Sequence, residues 1–138
     1  TMDEEVAWAM GWVAADSRYL LYVNGERIQW GPAPADPRYM EADPVDLTHK
    51  LKPGKNVLAF QVLYYGFGEG TWAAGTPGLL FSLKVELKNG KSFSLHSDSL
   101  EDSSAGIFAL CRKSGMEENK YQAGIRLVIR RTAVGFLL

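Results

Sequence analysis

Apolar and polar residues alternate with a period of two along much of this chain, a pattern that predicts β-strands with one buried face. Residues 79–87 show the alternation most clearly. Their apolar residues take every second position, and Ser82, Lys84 and Glu86 between them are predicted to face solvent. Residues 92–96 are predicted to return as the partner strand.

Other strands are predicted from different patterns. The first is predicted to place Trp8, Met10 and Trp12 on one face, with small residues between them. Residues 19–23 and 56–65 carry apolar side chains at both parities, which predicts strands covered on both faces.

Turn signals separate these strands. Asn24–Gly25 and Asn89–Gly90 are Asn-Gly pairs, which tolerate the positive φ that a tight hairpin demands. Pro53–Gly54 has the proline and glycine of a type II turn. The chain is therefore predicted to be all-β, an antiparallel jelly-roll-like β-sandwich of about eight strands.

Composition indicates one soluble globular domain. The 138 residues are 46% hydrophobic and 22% charged, which allows a sizeable core without disulfides. The 15 basic and 16 acidic side chains nearly cancel, so neither nucleic acid nor a membrane surface is expected as a partner. No apolar run approaches the roughly 20 residues that span a bilayer. Any export signal is expected to have been removed or to lie upstream, which allows a secreted or periplasmic origin.

Two long loops could carry function, because both lie between strands and contain aromatic residues. They are predicted at residues 31–43 and 66–78. A sugar site needs an aromatic platform and a few fixed polar groups. The candidates for such a site are Trp30, Asp36, Arg38, Tyr39, Phe67, Glu69 and Trp72. Alternatively, Trp30 and Tyr65 belong to the core, and the other aromatics pack against a neighbouring domain.

Asp43 and Asp46 flank a proline turn, and their carboxylates could hold Ca²⁺. The alternative is that Asp46 caps the turn at residues 47–50 by accepting its backbone amides. The single cysteine, Cys111, stands in no motif with a histidine, so an inert thiol is expected.

Several short motifs, in this order and spacing, resemble the N-terminal galactose-binding-like sandwich of α-L-rhamnosidases and related glycoside hydrolases. The resemblance covers residues 6–99. It is carried by Ala15–Tyr19, Tyr22–Gly25, Gly31-Pro32-Ala33, Asp46-Leu47, Leu51, Gly54–Val57, Gly75–Leu80 and Asn89-Gly90 with Ser97–Ser99.

The resemblance ends at residue 99. The chain is therefore divided into residues 1–99, the family-like sandwich, and residues 100–138, a C-terminal segment without resemblance. Leu100 and Glu101 stand where the family usually has a tryptophan and a lysine. The remaining segment is interpreted either as a diverged closing strand or as a frame-shifted tail. Within it, residues 124–131 alternate apolar residues with arginines and predict an edge strand guarded by charge.

The resemblance implies a noncatalytic module that supports a catalytic domain and could bind a rhamnose-containing glycan. In this family, hydrolysis uses two carboxyl groups of a separate helical barrel. Two alternatives remain open: a free-standing lectin-like domain, and a small enzyme that uses Asp43, Asp46 or Glu69 as acid and base.

Overall fold

Two β-sheets make up the described part of the protein. The computed structural model describes residues 2–36, 38–65 and 78–97 in full, and residues 117–122 and 125–133 as backbone with the side chain of Ile125. These residues form nine strands. The predicted all-β sandwich is confirmed, whereas its jelly-roll character stays a prediction. The described residues include no helix long and apolar enough to cross a membrane.

In chain order, the strands are β1 (Val6–Asp16), β2 (Arg18–Val23), β3 (Glu26–Gly31), β4 (Asp43–Asp46), β5 (Asn56–Tyr64), β6 (Gly78–Leu87), β7 (Ser92–His96), β8 (Glu117–Gln122) and β9 (Ile125–Ala133). The four-stranded sheet has the order β4-β1-β6-β7 and the five-stranded sheet the order β3-β2-β5-β9-β8. Neighbouring strands are antiparallel except for β5 and β9, which are parallel.

The core lies between the inward faces of the two sheets. Its aromatic centre joins Tyr19 and Phe60 of the five-stranded sheet to Phe81 of the four-stranded sheet. The ring centroids of Tyr19 and Phe60 are 6.3 Å apart, and those of Phe60 and Phe81 are 4.9 Å apart. Aliphatic residues of both sheets complete the same buried cluster, among them Val13, Leu21, Val45, Leu58, Val62, Leu79, Leu83, Val85, Leu95 and Ile125.

Glycines with positive φ angles lie in the three predicted turns. Asn24 and Gly25 adopt φ angles of 51° and 87° between β2 and β3. Gly54 has a φ of 96°, as the third position of a type II turn requires. Gly90 has a φ of 81° within the loop at residues 88–91, between β6 and β7. The pairing of β2 with β3 and of β6 with β7 confirms both predicted hairpins, and of the two Asn-Gly pairs only Asn24–Gly25 has a positive φ at both residues.

The strands predicted to be covered on both faces have one buried and one partly open face. In β5, Leu58, Phe60 and Val62 are buried, whereas Val57 and Gln61 of the opposite face are exposed. β2 alternates in the same way, with Leu20 and its same-face neighbours half-buried. The prediction of full burial is wrong here, because each of these strands belongs to a sheet with one packed face.

The segment after residue 99 contributes two strands to the five-stranded sheet. β9 lies between β5 and β8, and its pairing with β5 runs from Asn56 opposite Ile125 to Tyr64 opposite Ala133. The prediction of an edge strand at residues 124–131 is therefore wrong, because β8 pairs on the outer side of β9. The choice between a native and a frame-shifted tail stays a question for sequencing of the parent locus.

β1 packs the face with the smaller side chains against the core. Ala9 and Val13 are fully buried, whereas Trp8 and Trp12 of the opposite face are 42% and 58% exposed. The sequence correctly placed the two tryptophans on one face. The structure adds that this face is the outer one.

Gly11 explains how β1 can approach β6 so closely. A Cβ atom at this position would collide with the backbone carbonyl oxygen of Ser82 and would lie 3.3 Å from the Leu83 side chain. Only glycine fits there without a shift of the backbone.

A Gly11→Ala substitution is expected to lower the free energy of unfolding by about 1–3 kcal/mol, because overpacking a tight contact displaces backbone. Urea denaturation followed by tryptophan fluorescence measures this loss. Lys84→Ala is the control, since Lys84 is exposed on the outer face of the adjacent β6, and it is expected to change stability by less than about 0.5 kcal/mol. Equal stability of Gly11→Ala and wild type would contradict the packing argument.

Candidate functional site

Asp43 belongs to a polar cluster that joins the two sheets. The Tyr19 hydroxyl of β2 donates to Asp43 Oδ2 of β4 over 2.6 Å. Gln29 Nε2 of β3 donates to the Tyr19 hydroxyl oxygen over 2.8 Å. Gly31 leaves room for the cluster, because a Cβ atom there would collide with the Asp43 carboxylate and lie 3.1 Å from the Tyr19 ring. Asp43 is therefore engaged within the fold.

Asp46 caps the turn that follows β4. The Thr48 amide donates to Asp46 Oδ1 over 2.9 Å, and the Lys50 amide donates to the Leu47 carbonyl over 3.0 Å. Hydrogen bonds from the Thr48 side chain and backbone lower the pKa of Asp46. The capping role predicted as the alternative is confirmed.

Asp43 and Asp46 point to opposite faces of the four-stranded sheet. They occupy the first and last positions of β4, and residues three apart on a strand point to opposite faces. Among the residues that the structure describes, no group of three or more His, Cys, Asp or Glu side chains could hold a metal ion. The geometry separates the two predicted ligands, and calcium binding stays an untested prediction.

Asp36 and Arg38 are brought together in the loop between β3 and β4. Arg38 Nη2 donates to Asp36 Oδ2 over 2.6 Å, and Arg38 Nε donates to Asp36 Oδ1 over 3.0 Å. The side-chain hydrogen bonds from Arg38 are the main cause that lowers the pKa of Asp36 to about 2. The Tyr39 amide donates to the Asp36 carbonyl over 2.8 Å, and the Tyr39 side chain is 77% exposed. This turn presents one aromatic ring, while its two charges bind each other.

Trp30 lies on the outer face of the five-stranded sheet. Its side chain is 66% exposed, so the alternative that placed it in the core is wrong. The Arg18 guanidinium lies 5.4 Å from the centre of the Trp30 ring, in the geometry of a cation–π contact. One face of this indole is therefore already occupied. Phe67, Glu69 and Trp72, the remaining candidates, lie outside the described residues, as does most of the loop at 66–78.

A shallow cleft crosses the outer face of the four-stranded sheet and is called here the Trp12 cleft. Its volume is about 340 Å³, and its lining includes Trp12, Ala14, Ala42, Leu80, Ser82 and His96. Strand register explains why these residues meet. Trp12 pairs with Ser82 of β6, and Ser82 pairs in turn with His96 of β7.

Ser97 fixes the base of this cleft. The Phe81 amide donates to Ser97 Oγ over 2.7 Å, and the Ser97 amide donates to the Phe81 carbonyl over 2.9 Å. Both residues are buried. The end of β7 is thus held against β6, and the neighbouring His96 has a fixed backbone position.

Sequence reasoning did not select Trp12 or His96 as site residues. The alternation of β1 placed Trp12 correctly with Trp8, but large apolar side chains are usually assigned to the core. The sequence does contain one signal for the packing of β1, which is Gly11. A glycine inside a strand often marks a place where another part of the backbone approaches closely. The Asn89–Gly90 turn predicts the pairing of β6 with β7, but the pairing of β6 with β1, which brings His96 to Trp12, has no local sequence signal.

Comparisons of the chain with protein-family models, with curated proteins and with solved structures found no match. The resemblance to rhamnosidase sandwich domains therefore stays a prediction based on the motifs that carry it.

A Tyr19→Phe substitution is expected to lower the free energy of unfolding by about 1–3 kcal/mol, because it leaves the Asp43 carboxylate and the Gln29 amide without their shared partner. Denaturation in urea at neutral pH measures the loss. Tyr39→Phe is the matched control, since the Tyr39 side chain is exposed, and its stability is expected to stay within about 0.5 kcal/mol of wild type. Equal effects of the two substitutions would contradict the structural role of the cluster.

The cluster of Tyr19, Gln29 and Asp43 also predicts that the free energy of unfolding falls at alkaline pH. Burial, and then the hydrogen bond to Asp43, raise the pKa of Tyr19 above its usual value of 10.0. The neutral phenol is therefore favoured by the folded state, so its contribution is complete below pH 10 and is lost as pH rises toward the folded-state pKa. Urea midpoints between about pH 8 and pH 11 are expected to fall more steeply for wild type than for Tyr19→Phe. Parallel curves would contradict this assignment.

Proposed function

We propose that this chain is a noncatalytic β-sandwich module of an α-L-rhamnosidase-like glycoside hydrolase, which supports the catalytic domain and binds carbohydrate. The observation that carries the proposal is the presence of exposed tryptophan side chains on strands that are fixed by pairing. Trp12 lies on β1, which is hydrogen-bonded to β4 on one side and to β6 on the other. Trp30 lies on β3. Rigid exposed aromatic rings are the main requirement for contact with the apolar face of a sugar or with another domain.

The residues of the family-like motifs have structural roles that suit a scaffold. Asn24 accepts a hydrogen bond from the Val57 amide over 2.9 Å and donates to Asn56 Oδ1 over 3.0 Å. Asn56, which is buried, also donates to the Lys52 carbonyl over 2.7 Å. The Val-Asn-Gly and Gly-Lys-Asn motifs thus tie the β2–β3 hairpin to the start of β5. Motifs of this kind support a role as framework for a larger enzyme.

The engagement of the carboxylates favours a binding module over an independent enzyme. Glycoside hydrolysis needs two carboxyl groups on either side of one glycosidic bond. Asp43 accepts from Tyr19, Asp46 accepts from Thr48, and the two lie on opposite faces of β4. Each has a structural partner, and their placement does not suit a shared substrate. A free-standing lectin-like domain remains the alternative of the same binding class.

Calorimetric titration of the chain with rhamnose and with galactose, each with and without Ca²⁺, tests the binding part of this proposal. Weak binding with a Kd of about 1 mM, near −4 kcal/mol, is expected for at least one sugar. An absence of heat at sugar concentrations of tens of millimolar would remove the binding claim and leave a supporting role alone.

The noncatalytic part has a separate test. The chain alone is expected to give no release of chromophore from an aryl α-L-rhamnoside beyond the buffer rate. Turnover by the purified chain that disappears in Asp43→Asn or Asp46→Asn would establish an enzyme and contradict the proposal. Sequencing of the DNA downstream tests the parent enzyme, where a helical-barrel hydrolase is expected.

A further inference from the structure

We propose that Asn89–Gly90 is a site of spontaneous deamidation in the folded protein, and that Asn24–Gly25, the same dipeptide, is protected from this reaction. Asn-Gly pairs are especially prone to deamidation, because glycine has no side chain to hinder attack by its amide nitrogen. Both pairs lie in hairpin turns, one between β6 and β7 and the other between β2 and β3. The fold therefore decides which of two chemically identical pairs reacts.

The reaction needs no co-reactant other than water. The Gly90 amide nitrogen loses its proton to solvent and bonds to Asn89 Cγ. The bond between Cγ and Nδ2 breaks, and Nδ2 takes up a proton and leaves as ammonia. Water then opens the succinimide at either carbonyl, which leaves aspartate or isoaspartate at position 89. One water is consumed, one ammonia is released, and the chain, whose formal net charge is −1, gains one negative charge.

Solvent exposure does not distinguish the two pairs. All four residues are exposed, and Gly25 and Gly90 have similar φ angles of 87° and 81°. The asparagine side chain must leave its hydrogen-bond partners before its Cγ can approach the following nitrogen. The positions of those partners in the chain therefore set how large an opening the reaction requires.

Asn24 is held by residues that are distant in the sequence. Its Oδ1 accepts from the Val57 amide over 2.9 Å, and its Nδ2 donates to Asn56 Oδ1 over 3.0 Å. Its backbone amide also donates to the Val57 carbonyl over 2.8 Å. Asn56 is buried, and its Oδ1 also accepts from the Lys52 amide over 3.1 Å. Release of the Asn24 side chain therefore requires the β2–β3 turn to separate from the start of β5.

Asn89 is held by residues of its own turn. The Lys91 amide donates to Asn89 Oδ1 over 3.0 Å, and the Gly90 amide donates to the Leu87 carbonyl over 2.9 Å. Both bonds lie within residues 87–91, so a fluctuation of this turn alone breaks them. Such local openings cost less free energy than the separation of strands. The same fluctuation frees the Gly90 nitrogen for attack.

The base of this turn is held by other hydrogen bonds. The Leu87 amide donates to the Lys91 carbonyl over 2.8 Å, and the Lys88 amide donates to the Glu5 carbonyl over 2.9 Å. These bonds do not involve Asn89 or Gly90. The pairing of β6 with β7 can therefore persist while the tip of the turn opens, and the reaction at Asn89 does not require unfolding.

The experiment is incubation of the full chain in mildly alkaline buffer, which favours the deprotonated glycine amide, with and without urea that unfolds it. Peptide mass spectrometry follows deamidation at each asparagine, and labelling by an isoaspartyl methyltransferase detects isoaspartate. In the folded protein, Asn89 is expected to react at least tenfold faster than Asn24, a difference of about 1.4 kcal/mol. In urea the two rates are expected to agree within about threefold, because the dipeptides are identical.

Two variants test the assignment, after circular dichroism has verified that they fold. Asn89→Gln is expected to abolish the reaction at position 89 and to leave the rate at Asn24 unchanged, because glutamine would have to close a larger ring. Asn56→Ala removes the acceptor of Asn24 Nδ2. It is expected to raise the rate at Asn24 at least fivefold, with Asn89 unchanged. The comparison of folded with unfolded wild type stands without either variant.

Equal rates at the two asparagines of the folded protein would overturn the protection of Asn24. A reaction at Asn89 that occurs only in urea would overturn the proposed site, and faster reaction at Asn24 than at Asn89 in buffer would overturn both statements. The outcome does not depend on whether the chain binds carbohydrate.

Discussion

The close contact of Gly11 with β6 decides which face of β1 enters the core. A strand has only two faces, so the inward position of Ala9, Gly11 and Val13 forces Trp8 and Trp12 outward. A shift of one residue would direct the indoles toward the space that Leu83 fills. The exposed tryptophan surface is therefore a consequence of how the core packs, and the strand pairing that closes the core also holds the platform rigid.

A second constraint acts between the sheets. Tyr19, Gln29 and Asp43 form a hydrogen-bonded chain that starts in the five-stranded sheet and ends in the four-stranded one. A buried phenol needs such a partner, since an unsatisfied hydroxyl in the interior costs free energy. Asp43 thus has the same kind of role as Asp46 and Asn24, which also bind backbone or side chains of the fold. Polar residues that suggest chemistry in the sequence act here as connections between strands.

The sequence predicts best what depends on neighbouring residues. Asn24–Gly25 and Pro53–Gly54 determine turns because their own φ preferences demand them, and Asp46 caps a turn two residues away. It predicts poorly what depends on distant partners. Tyr19 and Asp43 are 24 positions apart, and β9 joins β5 in parallel although nothing local marks either strand for the other. The choice between the two faces of β1 belongs to this second kind.

The two exposed tryptophan surfaces differ in a way that bears on what each can bind. Around Trp30, the Arg18 guanidinium adds a positive charge and covers one face of the ring. Around Trp12, the cleft is lined by apolar residues together with Ser82 and His96. A charged, edge-strand position suits contact with a large partner whose own groups can match the charge. An apolar cleft on a central strand suits an uncharged partner, because no aspartate, glutamate, lysine or arginine is among its described lining residues. The outer faces of the two sheets therefore differ in chemistry, with a cation beside the indole of one and an apolar surface around the indole of the other.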